Sequence, residues 1–241
     1  MKKTHFPLLI AIALLCFAYS IPKKKMSILV FSKTAGYRHA SIKEGKIALM
    51  QLGATNNFIV DTTEDASFFT DKKLKKYSAV IFLSTTGDVL NNEQQLAFEK
   101  FIRSGKGFLG IHAATDTEYD WAWYGKLVGA YFLNHPKMQL AKLNVTDKTN
   151  PSVAHLPAIW ERTDEWYNFK NINPDIKVVM TIDESSYEGG KNGATHPMVW
   201  YHEYDGGRAF YTELGHTAES YVDPLFLKHL LEGIKYVTKK H

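Results

Sequence analysis

The sequence predicts an α/β fold built on a doubly wound, mainly parallel sheet, and three features carry that reading. Short apolar runs without polar alternation recur from residue 27 to residue 111, as they do in strands that helices cover on both faces. Amphipathic helical stretches separate these runs. Each run also ends in a polar loop, at the place where an open α/β sheet binds ligands beyond the carboxyl ends of its strands. The clearest case is Phe108–Ile111, which stops at His112 and passes into the aromatic, acidic loop Asp116–Tyr124.

Residues 1–20 follow the order of a secretory signal: Lys2 and Lys3, the apolar stretch Leu8–Phe17, then Ala18, Tyr19 and Ser20 with small residues at alternate positions. Cleavage there is expected to leave residues 21–241 as a single domain, periplasmic or secreted, without a stable membrane span. Lipid anchoring at Cys16 is the less favoured alternative, because Leu15 stands where a lipobox needs a small residue. Cys16 is the only cysteine, which removes disulfides, thiolate metal sites and a cysteine nucleophile from the exported chain together. The formal charge of +4 includes the two leader lysines, and a balance so near neutral excludes nucleic acid as the expected partner. With 45% hydrophobic and 13% aromatic residues the chain can bury one substantial core.

Ser27–Phe31 reads as the first strand and residues 32–39 as the loop that leaves it. A helix is expected from Ser41, capped by a Ser41–Glu44 box, carrying Ile42, Ile47, Ala48 and Leu52 inward and ending at Gly53. Phe58–Val60 and Ala79–Leu83 supply the next strands, and Ser84–Asp88 a second crest loop. Asn91 or Asn92 caps a helix with Leu96, Phe98, Phe101 and Ile102, which Gly105 closes before the central strand. Beyond Pro136 the pattern changes to strands at 139–146 and 177–182. His196–Tyr204 and Arg208–Leu214 then form an added β-hairpin turning at residues 205–207, and a last helix spans Phe226–Val237.

Several motifs resemble one family. Phe31–His39 (FSKTAGYRH), Gly110–Trp121 (GIHAATDTEYDW), Arg162–Asn168 (RTDEWYN), Trp200–Tyr211 (WYHEYDGGRAFY) and Gly215-His216 are similar to the ThuA-like, or trehalose-utilisation, family, and the likeness covers nearly all of residues 21–241. The resemblance implies the flavodoxin-like three-layer sandwich of the class I glutamine amidotransferases. In those enzymes the turn after the central strand carries a catalytic cysteine; here the stretch carries His112, so glutamine hydrolysis through a thioester is not expected. The family further implies the catabolism of a glycoside, a disaccharide or a 3-keto derivative.

The loops that should share the crest supply the candidate site. His112 is expected to act as acid or base, with Asp116, Glu165 or His216 as partner, since a histidine beside carboxylates exchanges protons near neutral pH. His39, Tyr119, Trp121, Trp123, Asp164, Tyr167, His196, Trp200 and Tyr211 are the expected substrate contacts, because flat rings stack on pyranose faces while acids accept hydrogen bonds from hydroxyls. Each residue also has a structural reading. Asp116 can cap a helix at Trp121, Asp164 and Glu165 can pair with Arg162 or Arg208, His202 can face solvent, and His155, His229 and His241 fit surface contexts. His39, His112, His135, His196, His202 and His216 offer ligands for a divalent metal such as zinc, although no local signature such as HExxH fixes one. The expected partner is a small carbohydrate, and self-association is compatible with the sequence. A sugar-binding module without catalysis and a metal-dependent hydrolase are the rival readings.

Overall fold

The structure, a computed structural model, describes Met1, Lys2 and residues 25–239. The leader, the lipid anchor at Cys16 and His241 lie outside the described residues. Among the described residues no helix is long and apolar enough to cross a membrane.

The first half alternates as the hydrophobic runs predict. Strand β1 (Ser27–Phe31) leads to α1 (Ile42–Thr55), β2 (Ile59–Thr63), α2 (Asp71–Leu74), β3 (Ala79–Leu83), α3 (Asn92–Arg103) and β4 (Gly107–Ile111). There follow α4 (Ala122–Val128), β5 (Tyr131–Asn134), β6 (Gln139–Val145), α5 (Pro151–Ala154), β7 (Ile159–Asp164) and β8 (Asn168–Lys170). Strands β9 (Lys177–Ile182), β10 (Pro197–Tyr204) and β11 (Gly207–Thr212) precede α6 (Pro224–Thr238).

Nine strands form one sheet in the order β2-β1-β3-β4-β11-β10-β9-β6-β7. The first five are parallel to one another and reproduce the flavodoxin-like order, while β10, β9, β6 and β7 continue antiparallel. Strands β3 and β4 are buried at every position, as strands covered on both faces must be. Helix α6 lies so close to β4 that a Cβ on Gly107 would come 2.2 Å from the Val237 carbonyl oxygen. The hairpin turns on Asp205 and Gly206, both at positive φ, which the two-residue connection between antiparallel strands demands.

Several local expectations are corrected. Ser41 stands at the α1 N-cap but makes no side-chain cap; its hydroxyl donates instead to the Gly215 carbonyl, 3.2 Å away. Gly53 does not end α1: it is buried where the helix crosses Phe58 and Val60, and the helix runs on to Thr55. The buried stripe is Ile42, Gly45, Ala48, Leu49 and Gly53, and Ile47 is exposed. Leu96 is likewise exposed on α3, whereas Asn91 forms a full capping box with Gln94. Strand β2 begins at Ile59 and runs to Thr63, beyond the expected Phe58–Val60. β7 and the small β5-β8 sheet go beyond the expected strands, because β7 is largely polar and part-exposed while β5 and β8 are runs of only four and three residues.

His202 and His229 are also inside, not on the surface. The His202 Nε2–H donates to the Lys126 carbonyl (2.9 Å) and the His229 Nδ1–H to the Ser152 carbonyl (2.8 Å). Burial, with His155 and Arg162 nearby, lowers the His229 pKa to about 4, so the folded protein keeps this ring neutral. Between pH 4 and 6.5 the unfolded chain therefore binds the extra proton, and stability falls as the pH drops through that window. His229→Gln should remove about 2 kcal/mol of the stability difference between pH 7.5 and pH 5. Urea unfolding of both proteins at the two pH values measures it.

Candidate functional site

The loops after β1, β3 and β4 leave the carboxyl ends of the parallel strands and are tied together by their backbones. The loop after β1 bonds to that after β3 (Ala35 N–H to Thr86 oxygen, 2.7 Å), and the loop after β3 bonds to that after β4 (Gly87 N–H to Asp116 oxygen, 2.8 Å). In register, Ile111 of β4 lies beside Thr212 of β11, so His112 and Glu213 emerge as neighbours.

His112 turns sharply out of β4 at φ +50°, a conformation uncommon for a residue with a side chain. Its carbonyl accepts the Tyr211 hydroxyl at 2.7 Å, and its Nδ1 lies 2.8 Å from the Glu213 carbonyl. A carbonyl only accepts, so Nδ1 carries the proton and the lone pair is left on Nε2. That atom stands 3.2 Å from His216 Nδ1 and 3.5 Å from Glu165 Oε2. Glu165 Oε2 is in turn 3.1 Å from His216 Nδ1, and Oε1 is 3.1 Å from His135 Nδ1. The His39 ring meets His112 and His216 edge-on, with centroids 4.8 and 5.2 Å apart, and its buried Nδ1 has no hydrogen-bond partner.

Charge follows from this packing. Burial would raise the Glu165 carboxyl, but the close His112 and His216 imidazoles outweigh it and hold the group below the usual carboxylate range. The same bond to Glu165 raises His216. Burial, then the neighbouring His112 and His216, push His39 down to about 3. Glu213, fully buried under His112, is driven well above the carboxylate range by burial and by Asp164.

Asp164 orders the cluster from beneath. Its two oxygens accept the backbone N–H groups of Glu165 (3.1 Å), Gly215 (3.2 Å) and His216 (3.2 Å), while Arg162 pairs with it at 3.3 Å. Asp164 is thus a positioning residue between two loops and cannot meet a substrate directly.

Above the cluster lies a cleft of about 440 Å³ lined by Glu165, His216, His39, Asp116 and His135, with Tyr37, Phe132 and Tyr167 as aromatic wall. Asp116 does not cap α4; it accepts the Tyr119 hydroxyl at 2.6 Å. His112 itself is fully covered and forms the floor, so Glu165 and His216 are the members of the cluster that a ligand meets first.

Other expected contacts are elsewhere. Trp200 is fully buried, stacked on Tyr211 at 4.2 Å with its N–H given to the Val128 carbonyl, so neither ring can stack on a ligand. Trp121 and Trp123 stack on each other away from the cleft and donate to Glu99 and Asp205. His196 is buried between Glu184 and the Tyr167 carbonyl and holds Tyr167 from behind. Sequence reasoning passed over Tyr37, although it stands in the FSKTAGYRH motif, and over Phe132 and Glu213, which lie outside the motifs. His135 was read as ambiguous, and only the fold brings it to Glu165.

A family model described as ThuA, trehalose utilisation, matches residues 27–237. Among solved structures, a ThuA-like protein from Bacteroides uniformis superposes with a TM-score of 0.77 at 22% identity, covering 93% of this chain and 96% of that one. A ThuA-like protein from Parabacteroides merdae gives 0.74 at 21% identity, covering 90% and 91%. A search of curated proteins gives no match.

The loop that delivers His216 depends on Gly215, whose φ of +113° disfavours a side chain and where a Cβ would come 2.8 Å from the Tyr221 hydroxyl. Gly215→Ala should cost about 1–3 kcal/mol and draw His216 away from Glu165. Urea unfolding reads the first effect. The second appears by NMR as a fall of the His216 pKa toward its ordinary value.

Proposed function

This chain belongs to the ThuA family, and from that membership and the cleft we propose that it is an enzyme of carbohydrate catabolism acting on a glycoside, a disaccharide or a 3-keto derivative. The observation that carries the reading is the convergence of Glu165, His216, His39 and His112 on the floor of one cleft, with Asp116 also lining it. The aromatic side offers faces for a sugar ring, and the acids and imidazoles offer partners for hydroxyls. Thioester chemistry has no nucleophile, since residues 25–239 contain no cysteine and the turn after β4 carries His112.

A ketone at C3 acidifies the neighbouring C–H, and a carboxylate beside the ring can remove and return that proton. Asp116 is the group assigned this role, because His112 is covered and Glu165 is committed to its histidines. The histidine cluster stabilises the oxygen charge that develops as the proton leaves. The secretory order of residues 1–20 supports a periplasmic or secreted setting for this chemistry.

Incubating the purified protein with a panel of glycosides, disaccharides and their 3-keto derivatives tests the reading by NMR of the products. Asp116→Asn should lower kcat by about 10²–10⁴-fold while the unfolding midpoint holds. Saccharide binding without any turnover would replace the enzyme with a binding module.

The pH profile gives a second check. Burial raises the Asp116 carboxyl, and the Tyr119 hydroxyl, then His112, Lys170 and His135, partly offset that rise. The base form is therefore lost as pH falls at a higher pH than for an ordinary carboxylate. Tyr119→Phe removes the hydroxyl that favours the charged form, so the acid limb of kcat/KM should move to still higher pH. A limb that stays in place or moves down would take Asp116 out of the mechanism.

A further inference from the structure

We propose that His39, His112, His216 and Glu165 form a binding site for one first-row divalent transition-metal ion at the floor of the cleft. One ligand atom from each residue lies within 4.8 Å of all the others. Three of the separations are resolved: 3.2 Å from His112 Nε2 to His216 Nδ1, 3.5 Å from His112 Nε2 to Glu165 Oε2, and 3.1 Å from His216 Nδ1 to Glu165 Oε2. An ion bound tetrahedrally by nitrogen and oxygen at about 2.0–2.1 Å spaces its ligands about 3.4 Å apart. The three edges fall on either side of that value, so these three ligands need only small adjustments of side chains, and His39, within 4.8 Å of them, completes the set by a larger one.

Proton counting points the same way. His112 spends its only N–H on the Glu213 carbonyl, so its Nε2 can accept but not donate. Glu165 Oε2, 3.5 Å from that nitrogen, is a further acceptor oxygen. A single N–H on His216 Nδ1 must then serve both, while the buried Nδ1 of His39 is left without a partner. Several lone pairs thus face one small volume with one proton to share. A cation satisfies them together.

The surroundings have the form of an outer coordination shell. The Glu213 carbonyl fixes the His112 tautomer, His135 Nδ1, bonded to the Pro136 carbonyl, also stands 3.1 Å from the distal oxygen of Glu165, and Asp164 holds the backbone of His216. Three imidazoles and one carboxylate suit zinc, or its first-row neighbours, and disfavour magnesium and calcium, which take oxygen ligands. His39, Glu165 and His216 also line the cleft, so the ion would be open to a ligand from that side. This inference rests on the carbohydrate reading only for what the ion then does, which is to polarise a carbonyl or hydroxyl oxygen of the sugar.

The test uses the full chain, freed of any histidine tag, stripped with a chelator and titrated with Zn²⁺ in competition with a chromophoric chelator. One ion should bind per chain. His39→Ala, His216→Ala and Glu165→Ala should each weaken binding about 100-fold or more, with circular dichroism confirming that each variant is folded. His155→Ala, remote from the cluster, should leave the affinity unchanged. Co²⁺ in place of Zn²⁺ should give the visible absorption of a low-coordinate site in the wild type and not in His39→Ala or His216→Ala. Absence of stoichiometric binding, or an affinity indifferent to all three ligand variants, overturns the site. Stoichiometric metal with no saccharide altered would keep the site and sink the carbohydrate reading. Turnover of a saccharide by protein that binds no stoichiometric metal would do the reverse.

Discussion

The hydrogen bond from His112 Nδ1 to the carbonyl of Glu213 (2.8 Å) is the interaction on which the cleft depends. It exists because β4 and β11 are parallel neighbours in register, so both chains leave the sheet at the same level and in the same direction. The left-handed turn at His112 would be costly for an isolated residue, and the Tyr211 hydroxyl holds its carbonyl in place. Tyr211 is itself part of β11. One strand pairing therefore fixes the backbone, the ring orientation and the tautomer of the central imidazole.

A second layer of constraint comes from charge. Asp164, Glu165 and Glu213 sit close together below the cleft, and three ionised carboxylates there would repel one another. They are distinguished by their partners. Asp164 is surrounded by backbone N–H groups and Arg162, and Glu165 by histidines; Glu213 takes the Tyr167 N–H but leaves its other oxygen unpaired and is pushed toward the neutral form. A neutral Glu213 removes the repulsion at its source, and its neutrality lets the remaining negative charge stay with Glu165, at the cleft.

The parallel half of the sheet was legible because its signal is local. Buried strands such as Ala79–Leu83 and Phe108–Ile111 cannot be confused with amphipathic helices when glycines and capping residues punctuate them, and the Asp205-Gly206 turn needs positive φ at both positions. The cleft was legible in its histidines and acids, since His39, His112, Asp116 and His216 follow expected strands and Glu165 stands in the RTDEWYN motif. Its aromatic side was not. Trp121 stands in the same motif as His112 and Asp116, Trp123 just beyond it, and Trp200 and Tyr211 in another family motif, yet they are the large rings that fill the layers beneath and beside the cleft. Nothing in the order of residues separates a ring that faces a cleft from one that packs under it, because that depends on which side of a loop meets the sheet. Tyr37 and Phe132 reach the cleft through contacts that only the assembled chain defines.

The imidazole at the turn after β4 limits what that turn can do. A nucleophile there must present a free atom to its substrate, and the positive φ serves to push that atom outward. His112 is held differently. One nitrogen is occupied by the Glu213 carbonyl, the other faces Glu165 and His216, and Tyr167 lies across the ring with centroids 4.5 Å apart. An imidazole so enclosed is unsuited to attack. Its fixed lone pair suits the alternative of holding something shared with its neighbours, so in this protein the strained turn sets a ligand-holding floor in place of a covalent site.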